Sequence, residues 1–107
     1  MAKIIKITEA IAGARLADVT QEKQFWCSDG RALKNLSELK SALEQMSNET
    51  FQHHSNKTRS DFSNWVRDVV GDEKLSRDLQ KSASRTQAAK KVVDRIAWLS
   101  SKTMASS

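Results

Sequence analysis

Residues 60–75 read SDFSNWVRDVVGDEKL and carry the clearest helix start and stop signals in the chain. Apolar residues in this stretch recur at i, i+3, i+4 and i+7, which places them on one face of a helix. Ser60 is predicted to cap that helix through its hydroxyl, and Gly71 suits the left-handed position after a helix end. Asp72 can then cap a second helix. We therefore predict helices over 60–70 and 72–80, separated by a Gly-Asp corner.

Capping boxes predict two further helices. In such a box an Asn or Ser caps the helix, and a Glu or Gln three residues later bonds back toward the cap. Asn35 and Glu38 predict a helix over 36–47, and Ser84 and Gln87 predict the longest helix, over 85–101. Asn48 is expected to start a short turn of helix between them.

The N-terminal region is less regular. Thr8 is predicted to cap a helix over 9–17 with Ile11 and Leu16 facing inward, and a short strand over residues 3–7 is the alternative. Around residues 23–27 the aromatic pair Phe25 and Trp26 favours a short extended segment. A Ser-Asp-Gly turn signal at 28–30 then makes one hairpin plausible, with the two aromatic rings on opposite sides.

Composition predicts a single helical domain. The chain has 107 residues, no proline and three glycines, which suits helices better than a sandwich or barrel. The single cysteine excludes an internal disulfide. Neither a transmembrane run nor a convincing signal peptide is apparent, so we expect a cytoplasmic protein that does not bind membranes.

The adjacent pair His53 and His54 is the first candidate for a chemical site. Neighbouring helical residues diverge by about 100°, so the two rings do not readily share a metal ion. We expect one imidazole to pack beside Phe62 or Trp65 and bond to the backbone or Asp61, while the other faces water. Cys27 is expected to be a small buried filler. We predict no metal, no cofactor, no catalytic residue and no enzymatic activity.

Two spaced patterns give the chain a family resemblance. They read F-x-H-H at residues 51–54 and D-F-x-x-W-x-x-D-V-x-G-D-x-x-L at residues 61–75, and a further match begins upstream at Phe25. In these the chain resembles a family of small uncharacterised helical domains of archaea and bacteria, over about residues 25–80. Ser60 and Ser76 depart from the pattern, where Asn and Ala are expected. The resemblance implies one compact helical domain and a retained His-His pair, and it implies no activity.

The last predicted helix carries a basic stripe. The net charge is +5 and the sequence pI about 9.6, a balance that favours anionic partners. The stripe consists of Lys91, Arg95, Trp98 and Lys102. These residues fall at i, i+4, i+7 and i+11, so they share a face of the helix away from the core. Three interpretations stay open: cations in solvent with Trp98 covering a corner of the core, phosphate binding with Trp98 stacking on a base, or a protein interface. The candidate nucleic-acid contacts are Arg85, Lys90, Lys91, Arg95, Trp98 and Lys102, with Lys57 and Arg59 from a polar loop.

Taken together, these patterns predict an all-α fold. We expect one compact bundle of about five helices over residues 1–102, with a short extended segment near residues 23–27 and a flexible tail over 103–107. The predicted function is a small basic non-enzymatic protein that binds DNA or RNA mainly through phosphates. The alternative is a protein-interaction or self-association module that uses the C-terminal helix. The predicted core comprises Leu36, Leu39, Leu43, Phe51, Phe62, Trp65, Val66, Val69, Leu75, Leu79, Val92, Ile96 and Leu99, with Ala88, Ala89 and Val93 on the same side of the last helix.

Overall fold

The computed structural model describes residues 8–104 and, at residue 104, the backbone alone. A 3₁₀ turn at Gln21–Lys23 leads into a hairpin of two antiparallel strands, β1 (Phe25–Trp26) and β2 (Ala32–Leu33). The six α-helices of this range are α1 (Glu9–Leu16), α2 (Leu36–Gln45), α3 (Asn48–His54), α4 (Asp61–Trp65), α5 (Glu73–Gln80) and α6 (Arg85–Met104). The predictions of an all-α fold and of one short extended segment are therefore confirmed.

Helix α6 is the central element, because it packs against α1, α2 and α5. It begins at the predicted capping box, where the Gln87 amide donates to Ser84 Oγ at 3.1 Å. Its end differs from the prediction, since Thr103 is still helical. Residues 105–107 of the predicted tail, and residues 3–7 of the alternative strand, lie outside the described residues.

The stretch 60–75 folds as predicted in outline and differs in two details. Helix α4 continues as a π-helical turn over Val66–Val70, and Gly71 then takes the left-handed conformation with φ +87°. Asp72 caps α5, accepting from the Leu75 amide at 3.1 Å. The Ser60 cap is wrong: its side chain makes no capping bond, because ψ of 59° departs from the extended conformation found at Thr8, Asn35 and Ser47.

The predicted core is buried with few exceptions. Val69 and Ile96 are only partly buried, and Val93 is 38% exposed because it turns away from the packed face of α6. Ile11, expected inside, is 37% exposed. Helix α1 is instead rotated so that the small side chain of Ala12 is buried, which lets α1 lie close to α6.

Aromatic rings join the hairpin to the helices. Phe25 is buried and Trp26 is 67% exposed, as their opposite sides on the strand predict. The ring of Phe62 stacks on Phe25 with centroids 5.0 Å apart, and Trp65 Nε1 donates to the Lys23 carbonyl at 2.8 Å. These contacts hold the 3₁₀ turn and the hairpin against α4.

Candidate functional site

A groove lies between α5 and α6 on the described surface. Its volume is about 850 Å³, within the range of about 300–1,000 Å³ typical of ligand sites. The end of α1 and the turn before α5 close its other sides. The lining residues are Arg15, Arg67, Gly71, Glu73, Lys74, Arg77, Asp78, Lys91, Asp94, Arg95 and Trp98.

Beneath the groove lies Asp72, whose side chain is fully buried. A buried carboxylate must be paired, since an isolated charge loses its hydration. Arg95 supplies that partner through two bonds, from Nε to Oδ2 at 2.7 Å and from Nη2 to Oδ1 at 3.1 Å. Arg15 Nη1 lies 4.0 Å from Oδ1 of the same carboxylate. One buried acid therefore positions two arginines at the floor of the groove.

These two arginines retain unused donors. A guanidinium has five N–H groups, and Arg95 commits only its Nε and Nη2 to Asp72. Arg95 Nη1 and the side chain of Arg15 donate no hydrogen bond to any described residue. Both side chains keep some solvent exposure, 10% for Arg95 and 17% for Arg15. The floor therefore offers N–H donors from Arg95, which Asp72 holds in place, and from Arg15 beside it.

The rim carries four more cations in two kinds of setting. Arg67 bonds to Asp68 at 2.8 Å, a contact that lowers the pKa of the Asp68 carboxyl, and Lys74 bonds to Asp78 at 2.6 Å. Arg77 and Lys91 form no ion pair with any residue between 8 and 104. Because both are exposed, they are the rim cations most available to an anion.

Trp98 stands at the edge of the groove, 38% exposed. Arg95 Cζ lies 4.4 Å from the centroid of its ring, and Lys102 Nζ lies 4.9 Å from the same centroid. These residues are three before and four after Trp98, so they reach the indole from opposite directions along the helix. The ring is therefore already in contact with two cations, of which Arg95 is held by Asp72.

The predicted contacts thus divide into two groups. Lys91, Arg95 and Trp98 lie together in the groove, and Lys102 joins them through the indole. The other four do not line the groove: Arg85, Lys90, Lys57 and Arg59.

Arg85 is occupied at the end of α2, where its Nη1 donates to the Leu43 carbonyl at 2.7 Å and the Glu44 carbonyl at 3.0 Å. Lys90 does not line the groove, and it pairs at 3.1 Å with Asp94, which does. In the loop, Arg59 pairs with Asp61 at 2.6 Å while Lys57 is exposed.

Four lining cations were missed in the sequence: Arg15, Arg67, Lys74 and Arg77. A signal existed for two of them, because Lys74 and Arg77 recur at i and i+3 on the side of α5 that faces away from its buried leucines. Arg15 and Arg67 had no local signal, because their neighbours in the groove come from other helices.

The histidine pair is placed as expected. His54 is buried against Phe25 and Phe62, and its Nε2 accepts from the Ser28 amide at 3.0 Å. Its Nδ1 lies 3.0 Å from Asp61 Oδ2, so the proton is on Nδ1 and the ring is neutral in this arrangement. His53 is exposed. Among residues 8–104, no three His, Cys, Asp or Glu side chains cluster as metal ligands would.

No family model, no curated protein and no solved structure matches this chain. The resemblance to small archaeal and bacterial helical domains therefore stays a prediction. No helix in the described part of the chain is both long enough and apolar enough to span a bilayer.

Proposed function

We propose that this protein is a non-enzymatic nucleic-acid-binding protein that holds DNA or RNA phosphates in the groove between α5 and α6. One observation carries the proposal: six basic side chains line this cavity against three acidic ones. Phosphate contacts supply most of the affinity of proteins that bind nucleic acid without reading its sequence.

The rim cations suit this role because little holds them elsewhere. Arg77 and Lys91 have no ion pair among the described residues. The pair of Arg67 with Asp68 is exposed, and in the pair of Lys74 with Asp78 the lysine is exposed and the carboxylate half-buried. Exposed pairs contribute only about 0–1 kcal/mol. A phosphate can therefore replace either carboxylate at small cost.

Salt dependence gives the proposal a quantitative form. If the four rim cations each neutralise one phosphate of a single strand, the logarithm of the binding constant should fall with the logarithm of salt concentration with a slope of about −3. Fluorescence anisotropy with labelled single-stranded and duplex oligonucleotides measures this slope directly.

A matched pair of variants tests the location. Arg77→Gln with Lys91→Gln removes two charges from the groove, whereas Lys34→Gln with Lys40→Gln removes two charges from the chain around the start of α2, outside the groove. We expect the groove variant to bind at least about tenfold more weakly, with a slope reduced by about 1.4. The control variant should change affinity about twofold or less. Equal losses in both variants, or no binding of either oligonucleotide at about 50 mM salt, would refute the proposal.

The loop cations form a separate arm of the experiment. Lys57 and Arg59 lie on the loop between α3 and α4 and line no part of the groove. We expect Lys57→Gln to leave affinity close to that of the control variant. A tenfold loss would extend the interface to this loop.

Trp26 favours a second candidate, a protein-interaction or self-association module. Its side chain is 67% exposed on the outer side of the hairpin, and exposed tryptophan is common where protein surfaces meet. Solution mass measured against concentration tests this, with Trp26→Ser and Trp98→Ala as variants. A monomer at all concentrations that captures no protein partner would count against this candidate.

A further inference from the structure

We infer that the floor of the groove is a subsite for a terminal phosphate, the phosphomonoester end of a nucleic-acid strand. This inference rests on the proposed function and assigns a distinct role to Arg15 and Arg95. The rim would hold internal phosphates, and the floor would select the strand end.

The floor is built as an anion site. Arg95 meets Asp72 side-on with two bonds, which fixes the plane of its guanidinium and leaves Nη1 unused. Arg15 is only 17% exposed and lies 4.0 Å from the same carboxylate. Two cations around one buried anion leave an excess positive charge at the floor, and a guanidinium suits the oxygens of a phosphate in two-bond contacts.

The number of acceptor oxygens distinguishes a terminal phosphate from an internal one. The two arginines at the floor exceed the buried Asp72 by one positive charge and retain N–H donors that Asp72 does not use. A phosphomonoester carries about −1.5 to −2 at pH 7 and presents three strong acceptor oxygens. An internal phosphodiester has only two unesterified oxygens, so it satisfies fewer of these donors.

Three oligonucleotides of one sequence test the inference, carrying a 5′-phosphate, a 3′-phosphate or hydroxyls at both ends. Anisotropy competition should show at least one phosphorylated form binding about tenfold more tightly than the hydroxyl form. Arg15→Gln should remove this preference, and Arg15→Lys should restore part of it because the charge returns without the two-bond geometry. Since Asp72 keeps its two bonds from Arg95 when Arg15 is replaced, both variants should still fold, which a cooperative thermal transition checks.

A measurement on the unaltered protein provides a second route. A nucleoside 5′-monophosphate should displace the phosphorylated oligonucleotide at a concentration at least tenfold below that of the unphosphorylated nucleoside. Inorganic phosphate should compete more weakly than the monophosphate, and equal competition would overturn the assignment to a strand end.

Failure of this inference is separable from failure of the proposed function. Equal affinity for phosphorylated and hydroxyl ends overturns the terminal subsite, and the proposed function still stands if Arg77→Gln with Lys91→Gln weakens both. If no oligonucleotide binds at about 50 mM salt, where phosphate contacts are strong, both are overturned.

Discussion

The imidazole of His54 accepts a hydrogen bond from the amide of Ser28 at 3.0 Å, across 26 residues of sequence. Its other nitrogen bonds to Asp61 at 3.0 Å. One buried ring thereby connects the hairpin turn, the end of α3 and the start of α4. The histidine pair contributes to the fold through only one of its members.

His54→Phe tests this connection. The substitution keeps a ring in the aromatic cluster and removes both bonds, which leaves the Ser28 amide without its partner while Asp61 keeps Arg59. We expect the free energy of unfolding to fall by about 1–3 kcal/mol, from two lost hydrogen bonds of about 0.5–1.5 kcal/mol each. Urea denaturation measures it. His53→Phe is the matched control and should change stability by less than about 0.5 kcal/mol because His53 is exposed. Similar losses in both variants would contradict the assignment.

Asp72→Ala tests the buried ion pair under the groove. It removes the partner of Arg95, whose side chain is 10% exposed, and the cap of α5. We expect a loss of about 3–5 kcal/mol, typical of a buried charge left without its partner. Asp94→Ala, which breaks the exposed pair with Lys90, should cost about 1 kcal/mol or less. Thermal denaturation of both variants decides the comparison, and a mild effect at Asp72 would show that Arg95 finds another partner.

Two glycines should respond to alanine in opposite directions. Packing does not distinguish the two positions, because a Cβ added at Gly13 or Gly71 would have no heavy atom within 4 Å outside the adjacent chain. Gly13 lies inside α1, where alanine should stabilise the protein by about 0.5–1 kcal/mol. Gly71 has φ +87°, where a side chain should cost about 1–2 kcal/mol. Chemical denaturation checks both signs, and a stabilising Gly71→Ala would contradict the left-handed helix end.

The thiol of Cys27 gives a pH-dependent prediction. Burial raises its pKa, so the thiolate is scarcer at pH 8 than in an unfolded chain. Alkylation by iodoacetamide should be slow in the folded protein, faster as pH rises, and fast at pH 8 in urea. Because the folded-state pKa is the higher one, stability should also decrease as pH rises above about 8.5, where the unfolded thiol ionises. Cys27 is the only cysteine, so mass spectrometry reads the labelling without ambiguity. Rapid labelling of the folded protein would contradict the burial.

The helices were predictable because their signals are local. Asn35, Asp72 and Ser84 each cap a helix through contacts within a few residues. The groove was not predictable in the same way, since Arg15 and Arg95 meet at Asp72 only after three elements pack together. The sequence shows which side chains are charged but not which groups they contact in the fold. Arg85 was predicted to bind phosphate, yet it donates hydrogen bonds to two carbonyls at the end of α2.

The number of residues in the π-helical turn at Val66–Val70 determines how the groove residues that follow it are oriented. Gly71 donates to the Val66 carbonyl at 2.8 Å, five residues back instead of four. Loss of any one residue of this turn other than Arg67 would restore ordinary α-helical spacing and rotate the following chain by about 100°. Asp72 would then point away from Arg95, although the sequence would still contain every residue that lines the groove. Conservative apolar replacements in this turn should be harmless, whereas a deletion in frame should dismantle the site.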